Sequence, residues 1–333
     1  MPASPLSTWI AAGFAAAFSA ATLLLILRFR ARLPQAQPNA RSLHDQPVPR
    51  VGGVALWAGF LPVAIATPSA VPGGGAWLAA WAAVAVVSLV DDVRSVRAAI
   101  RLAVHAIAAA IAAIAVLVPA SASATTWLVA AGAAGLIVWS ANLYNFMDGS
   151  DGLAAAMAVL GFGAYGIAAI HAEVPAAAFF ALAAAALPLL AVNAPPARVF
   201  MGDVGAVPLG FLAGFFGVSG CAAGTWPAWF PLLVFLPFVA DATLTLLRRA
   251  VRGEPMLEAH RGHYYQRLNR LGAGHRGTLV IYGALMTGTT GAALATLRLA
   301  PASGWSVLGA WIVVVAAFFA GIDYHWNRRR DSA

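Results

Sequence analysis

Carboxylates are scarce in this chain, and their placement is informative. Of 333 residues, 12 are Asp or Glu. Five of them fall in three short segments. These are Asp91-Asp92, then Asp148 and Asp151 in the run Asn142-Leu143-Tyr144-Asn145-Phe146-Met147-Asp148-Gly149-Ser150-Asp151-Gly152, then Asp203 in Phe200-Met201-Gly202-Asp203. A sixth, Asp241, interrupts an apolar stretch. Acids gathered at the ends of apolar runs are costly unless they are solvated, paired or metal-bound. Clustering them concentrates negative charge, and a divalent cation is the usual remedy. A second group is basic: Arg248, Arg249 and Arg252, then His260-Arg261-Gly262-His263-Tyr264-Tyr265-Gln266-Arg267. Two His and an Arg within four residues make a tighter anion-binding group than membrane anchoring requires. All 20 basic residues are Arg, so any phosphate is met by guanidinium, imidazole, backbone or metal.

The elements that carry these residues follow from composition. The chain is 61% hydrophobic and 10% charged, far from the roughly one-quarter charged of a soluble domain. It reads as an all-α, polytopic membrane protein, a single transmembrane domain over residues 1–333. Spans of about 20 residues are expected at 8–28, 52–70, 76–90, 98–118, 126–142, 152–171, 175–192, 205–222, 227–247, 278–298 and 305–324, about eleven in all. Pro231 and Pro237 predict a kink in the ninth. The Arg-rich connections follow the odd-numbered spans, so the positive-inside rule predicts an N-terminus outside and a C-terminus in the cytoplasm. Trp9, Trp77, Trp127, Trp226 and Trp305 then fall at outer span ends, as an aromatic belt would place them. The first span lacks a basic region before it and is expected to stay uncleaved. The three acid segments also follow odd-numbered spans, which puts them on one face of the membrane.

Simpler roles exist for each residue. A lone Asp at a helix end is more often a cap than a catalyst, and Asp-Gly pairs mark turns. Three such clusters on one face, amid few other acids, tip the balance toward function. Asp241 is expected to pair with an Arg of the following loop or to join the site. His105 reads as a satisfied packing residue, and His171 and His325 as peripheral. Cys221, the single cysteine, excludes a disulfide framework within the chain and any Cys-based zinc cluster, and reads as a packed small residue.

Together these segments resemble the polyprenyl-phosphate N-acetylhexosamine-1-phosphate transferases, glycosyltransferases of family 4, which include phospho-N-acetylmuramoyl-pentapeptide transferase. Five blocks match in order. They are Pro38-Asn39-Ala40-Arg41-Ser42-Leu43-His44 leading to Pro47-Val48-Pro49-Arg50-Val51-Gly52-Gly53; Asp91-Asp92; residues 142–153; residues 198–205; and residues 260–267. The first and last blocks look more like the branch that starts O-antigen and related polysaccharides than the peptidoglycan branch. Ala206 stands where members often have Ser, and the first block has no Lys.

The resemblance implies transfer of a HexNAc 1-phosphate from a UDP-N-acetylhexosamine to undecaprenyl phosphate, with release of UMP, at the cytoplasmic face of the bacterial inner membrane. It implies Asp203 as a ligand of Mg²⁺, with Mn²⁺ as a substitute, and Asn145 as a second ligand. Phe200 looks like the ring that stacks on uracil, with Asp151 and Asn193 near the nucleoside. Asp91, Asp92 and Asp148 resemble the family's essential acids. Arg50, His260, Arg261 and His263 are expected to bind substrate, the last three at the diphosphate or sugar. The implied partners are the two substrates and membrane lipid, with no nucleic acid and with a homodimer left open. A CDP-alcohol phosphatidyltransferase also uses Asp-Gly and Asp-rich segments, but its pattern continues into Ala-Arg and further Asp. Here Asp151-Gly152 is followed by Leu153-Ala154-Ala155-Ala156. A secondary transporter would place its ionisable groups near the bilayer midplane, whereas these lie at span ends.

Overall fold

With no water in a bilayer core, an apolar run must satisfy its backbone internally, so it coils into a helix. In the computed structural model, residues 5–33, 35–36, 48–67, 74–255 and 260–331 are described. Residues 38–44 and Pro47 of the first block lie outside the described residues. The helices are α1 Pro5–Arg28, α2 Gly52–Ala66, α3 Ala76–Val93, α4 Ala98–Leu117, α5 Ala124–Met147, α6 Leu153–His171 and α7 Ala177–Asn193. They continue with α8 Asp203–Ala222, α9 Trp229–Val234, α10 Leu236–Val251, α11 Tyr264–Leu268, α12 Gly274–Leu299 and α13 Gly304–Asp331. Each expected span coincides with one of these helices except the ninth. Eight helical stretches among the described residues are long and apolar enough to cross a membrane, and α2 and α7 are shorter apolar helices. The protein is therefore all-α and polytopic.

The ninth run, expected as one kinked span, is two helices separated at Phe235. Pro237 has no N–H to give the carbonyl four residues back, and its ring crowds that position. Helix α8 lies at the centre, buried along nearly its whole length, packed against α5 and α3, while α1 packs on α7 and α2. A two-residue antiparallel ladder, Gln35–Ala36 with Val48–Pro49, anchors the chain just before Arg50.

The aromatic belt needs correction. Trp9, Trp127 and Trp305 are exposed, but Trp77 and Trp226 are core residues at 1% and 3% exposure. Trp77 packs on Phe215 and Phe216, and the Trp226 ring stacks on Tyr165 with centroids 4.8 Å apart. Their position near span ends reflects packing, not contact with headgroups. His105 is enclosed as expected, yet neither ring nitrogen has a hydrogen-bond partner among the described residues. His171 and His325 are exposed and Cys221 is partly buried.

Candidate active site

The site begins with two backbone strands running side by side. Phe200 N–H donates to the Pro49 carbonyl (2.8 Å), Gly52 N–H to Phe200 (2.9 Å) and Gly53 N–H to Met201 (2.8 Å). The approach needs glycine, because a Cβ on Gly53 would lie 2.3 Å from the Cα of Gly205. It sets Arg50 over the first turn of α8. The Arg50 guanidinium reaches Asp203 at 2.7 Å and Asp92 at 3.1 Å.

Helix α8 opens after Gly202, which has no side chain to cap it. Its exposed N–H groups need an acceptor, and Asp92 from the end of α3 supplies one. The Asp92 carboxylate accepts the N–H of Asp203 (3.1 Å) and of Val204 (2.8 Å), and its side chain is fully covered. An anion at this position also suits the helix dipole. Neighbouring Asp91 accepts the Val96 N–H (2.7 Å) and pairs with Arg101 of α4. Arg101 in turn reaches the other oxygen of Asp203 at 3.2 Å.

Asp148 ends α5, its N–H bonded to the Asn145 carbonyl (3.2 Å). The charges of Asp203, Arg50, Asp92 and Asp151 all act on it. Burial first, then the Asp203 carboxylate, push its pKa well above the usual carboxylate range. Burial alone would lower the Arg50 pKa, but Asp203 and Asp92 more than offset this and raise it. Asp91, Asp92, Asp148 and Asp203 are four acids facing the two guanidiniums of Arg50 and Arg101. If all are ionised, the cluster carries two negative charges in excess.

The turn after Asp148 is gripped from outside. Gly152 N–H donates to the Asn193 side chain (2.9 Å), whose amide nitrogen donates to the Val199 carbonyl (2.9 Å). The buried Asp151 carboxylate accepts the Ala197 N–H (3.0 Å). Asn193 was expected near a nucleoside. Both ends of its buried amide tie the Asp151 turn to the segment carrying Phe200. Phe200 itself is half-buried beside that turn.

The histidine loop hangs from two other acids. Asp241, fully buried in α10, accepts the N–H of Tyr264 (2.9 Å) and of Tyr265 (2.9 Å), the Tyr282 hydroxyl (2.5 Å), and contacts of 3.3 Å with His263 and Thr245. It therefore holds the loop, and its partner is not the Arg that the sequence suggested. Asp323 of α13 binds Arg248 (2.6 Å), Arg267 (2.7 Å) and the Tyr264 hydroxyl (3.1 Å). The His263 ring is buried between His260 and Phe146 at centroid distances of 4.9 and 5.8 Å. Tyr265 donates to the Phe146 carbonyl (3.0 Å), which joins this loop to the Asp148 turn. Burial, then His263 and Arg249, push the His260 pKa down to about 4. At neutral pH His260 is therefore uncharged.

The structure thus brings Arg50, Asp91, Asp92, Asp148 and Asp203 into one cluster. Asp151 lies in the adjoining turn, which Asn193 ties to the segment carrying Phe200, and His263 packs on Phe146 with His260 stacked on it. Asn145 sits one turn before Asp148, while Arg261 is half-buried in the histidine loop. Sequence reading missed Arg101 as a site residue, though an Arg on the first turn of a span ten positions after Asp91 was a usable signal. It also missed Asp323 and His275, which no local pattern marks.

An all-α membrane protein with an acid and arginine site at one end of its bundle is the class this fold and site define. Residues 75–221 match the model of glycosyl transferase family 4. The chain is similar to a probable undecaprenyl-phosphate N-acetylglucosaminyl 1-phosphate transferase of Bacillus subtilis (strain 168), 26% identical over 74% of this chain and 73% of the relative. It is similar also to a decaprenyl-phosphate N-acetylglucosaminephosphotransferase of Mycolicibacterium smegmatis, 29% identical over 87% of this chain and 81% of the relative. A shorter match, 43% identical over 22% of this chain and 24% of the relative, is to a phospho-N-acetylmuramoyl-pentapeptide-transferase of Bacillus cytotoxicus.

Proposed function

We propose that this enzyme transfers an N-acetylhexosamine 1-phosphate from UDP-N-acetylhexosamine to undecaprenyl phosphate, releasing UMP and starting a cell-envelope polysaccharide. The observation that carries the reading is the convergence of four acids and two arginines at one end of a membrane bundle, in a chain whose relatives bear the names above. Two phosphate-bearing substrates repel each other, and such a site must neutralise charge as they meet.

The acid excess fits a divalent cation. Among the described residues no three His, Cys, Asp or Glu side chains form a ready-made cage, but Mg²⁺ takes one or two protein carboxylates and completes its shell with phosphate and water. Asp203 would hold it, with Asn145 as a second ligand. Bound there, the ion would neutralise charge on the donor diphosphate. Arg50 and Arg101 keep the Asp203 carboxylate in place, and Arg261 would meet phosphate through its guanidinium. Phe200 and Asp151 take the nucleoside.

The step itself is a direct displacement. A phosphate monoester has a second pKa of about 6, so the lipid phosphate is largely dianionic at neutral pH and needs no strong base. Its oxygen bonds to the sugar-bearing phosphorus, the bond to the UMP oxygen breaks in line, and the sugar C1–O bond is untouched, so anomeric configuration is retained. Asp92 is a poor nucleophile because both its oxygens are committed to α8 and its side chain is covered. It positions Asp203.

The test is incubation of purified protein with undecaprenyl phosphate, Mg²⁺ and a panel of UDP-HexNAc donors, with mass analysis of the lipid and quantitation of UMP. Formation of undecaprenyl-diphosphate-HexNAc, lost on chelation and restored by Mg²⁺, is expected. Absence of any lipid product with every donor would refute the reading. We further infer an inner-membrane location with the site facing the cytoplasm. In a Cys221-free background, an impermeant thiol reagent should label a Cys at exposed Ala302 in intact cells and spare one at Arg252; the reverse pattern would invert the orientation.

A further inference from the structure

One residue outside the family-like blocks touches the acid turn directly. His275 stands in the first turn of α12, just past the left-handed Gly272 and Gly274. Its Nδ1 accepts the Asp151 N–H at 3.2 Å, lies 3.3 Å from the Ser150 hydroxyl, and is 3.5 Å from the Asp151 carboxylate. Ser150 and Asp151 are buried, and the His275 side chain is nearly so at 16% exposure. A buried N–H left without an acceptor is costly, so this contact holds the Ser150–Asp151 peptide in one orientation.

The contact belongs to a larger interlock. Tyr265 holds the same turn upstream, donating to Phe146 and covering Gly149, where an added Cβ would fall 2.0 Å from its hydroxyl. Leu279 covers it downstream, where a Cβ on Gly152 would meet its side chain at 2.9 Å. Residues 265–279 therefore embrace residues 146–152 at three points, and His275 is the point that hydrogen-bonds Asp151.

We propose that His275 is a positioning residue for the nucleotide end of the site. Through the Asp151 backbone it fixes the direction in which the Asp151 carboxylate meets the nucleoside of a uridine-diphosphate sugar. The inference rests on the function proposed above. A neutral imidazole accepting at Nδ1 is mimicked by the Asn side-chain oxygen, whereas Gln carries its oxygen out toward the Nε2 position. His275→Ala and His275→Gln should thus raise KM for the UDP-sugar about tenfold, in keeping with the roughly 1.4 kcal/mol of one hydrogen bond, and weaken UMP binding by a similar factor. KM for undecaprenyl phosphate and kcat should stay within about threefold, and His275→Asn should restore the donor KM.

The experiment is steady-state kinetics and calorimetric UMP binding on the full-length protein in detergent, with melting temperatures measured alongside. If His275→Ala yields no folded protein, the contrast between the Asn and Gln variants carries the test. Unchanged donor KM and UMP affinity in an active His275→Ala or His275→Gln protein overturn the inference alone. So does a loss of kcat, or of stability only, that His275→Asn fails to separate from the other two. Wild-type protein that neither binds UMP nor turns over any UDP-HexNAc overturns the proposed function, and this inference with it.

Discussion

Two buried acids of this molecule, Asp203 and Asp241, sit in apolar helices a short distance apart in sequence and do opposite things. Asp241 is surrounded by hydrogen-bond donors: two backbone N–H groups, a tyrosine hydroxyl, a threonine and a histidine. Its oxygens are saturated, and nothing remains for a substrate. Asp203 is held by two arginines that it shares with Asp91 and Asp92, in a cluster where acids outnumber guanidiniums. Its surroundings are short of positive charge. Burial alone therefore does not mark a catalytic acid. A complete donor shell marks an anchor, and a charge excess is what the proposed function would need of a site.

The sharpest way to break this comparison is Asp203→Asn. Turnover should fall on the order of 10²–10³-fold, while the folded state stays within about 1 kcal/mol of wild type, since one of four crowded acids is gone. Transfer assays paired with detergent melting curves would decide it; a variant that unfolds, or one that works at limiting Mg²⁺, would erase the distinction. Asp241→Asn should invert the pattern. It replaces one acceptor oxygen with a donor facing N–H or O–H groups, at a cost of at least about 2 kcal/mol in stability. Whatever protein remains folded should keep most of its turnover.

The joint between the two regions is tested at Gly149. Gly149→Ala drives a methyl into the Tyr265 hydroxyl, 2.0 Å away, and should cost about 1–3 kcal/mol. Tyr265→Phe removes the offending oxygen, leaving the ring carbon at 3.1 Å, so the double variant should be more stable than Gly149→Ala. A double-mutant cycle with near-zero coupling would mean that the loop and the turn are not in contact.

The smallest effect concerns His260. Its pKa of about 4 lies below the ordinary 6.5, so between those values the unfolded chain takes up a proton that the folded one refuses. Stability is full above pH 6.5 and declines as pH falls toward 4. The melting temperature should drop between pH 7.5 and 5, and less steeply in His260→Gln. Parallel pH curves for the two proteins would show that the ring is not held neutral.

Much of the architecture is legible from local pattern. Span positions follow from apolar run length, and the interruption at Phe235 follows from Pro237, because hydropathy and a missing N–H act within a few residues. Other features are not local. In sequence, Trp77 looks like Trp127, and Asp241 could be either an ion-pair partner or a site acid; only the neighbours supplied by other helices decide. The same holds for Asn193, whose partners Gly152 and Val199 come from other segments.

The chain's own pattern therefore determined that this is a polytopic helical protein with acid clusters at helix ends and a basic histidine loop between its later spans. Tertiary structure decided which acid does what. It set Arg50 on Asp203 across 153 positions, made Asp92 the cap of a helix that brings no cap of its own, and placed His275 on Asp151. Ion pairs and caps between helices depend on the depth and rotation of each helix against the others, and those are properties of the packed bundle rather than of any one segment.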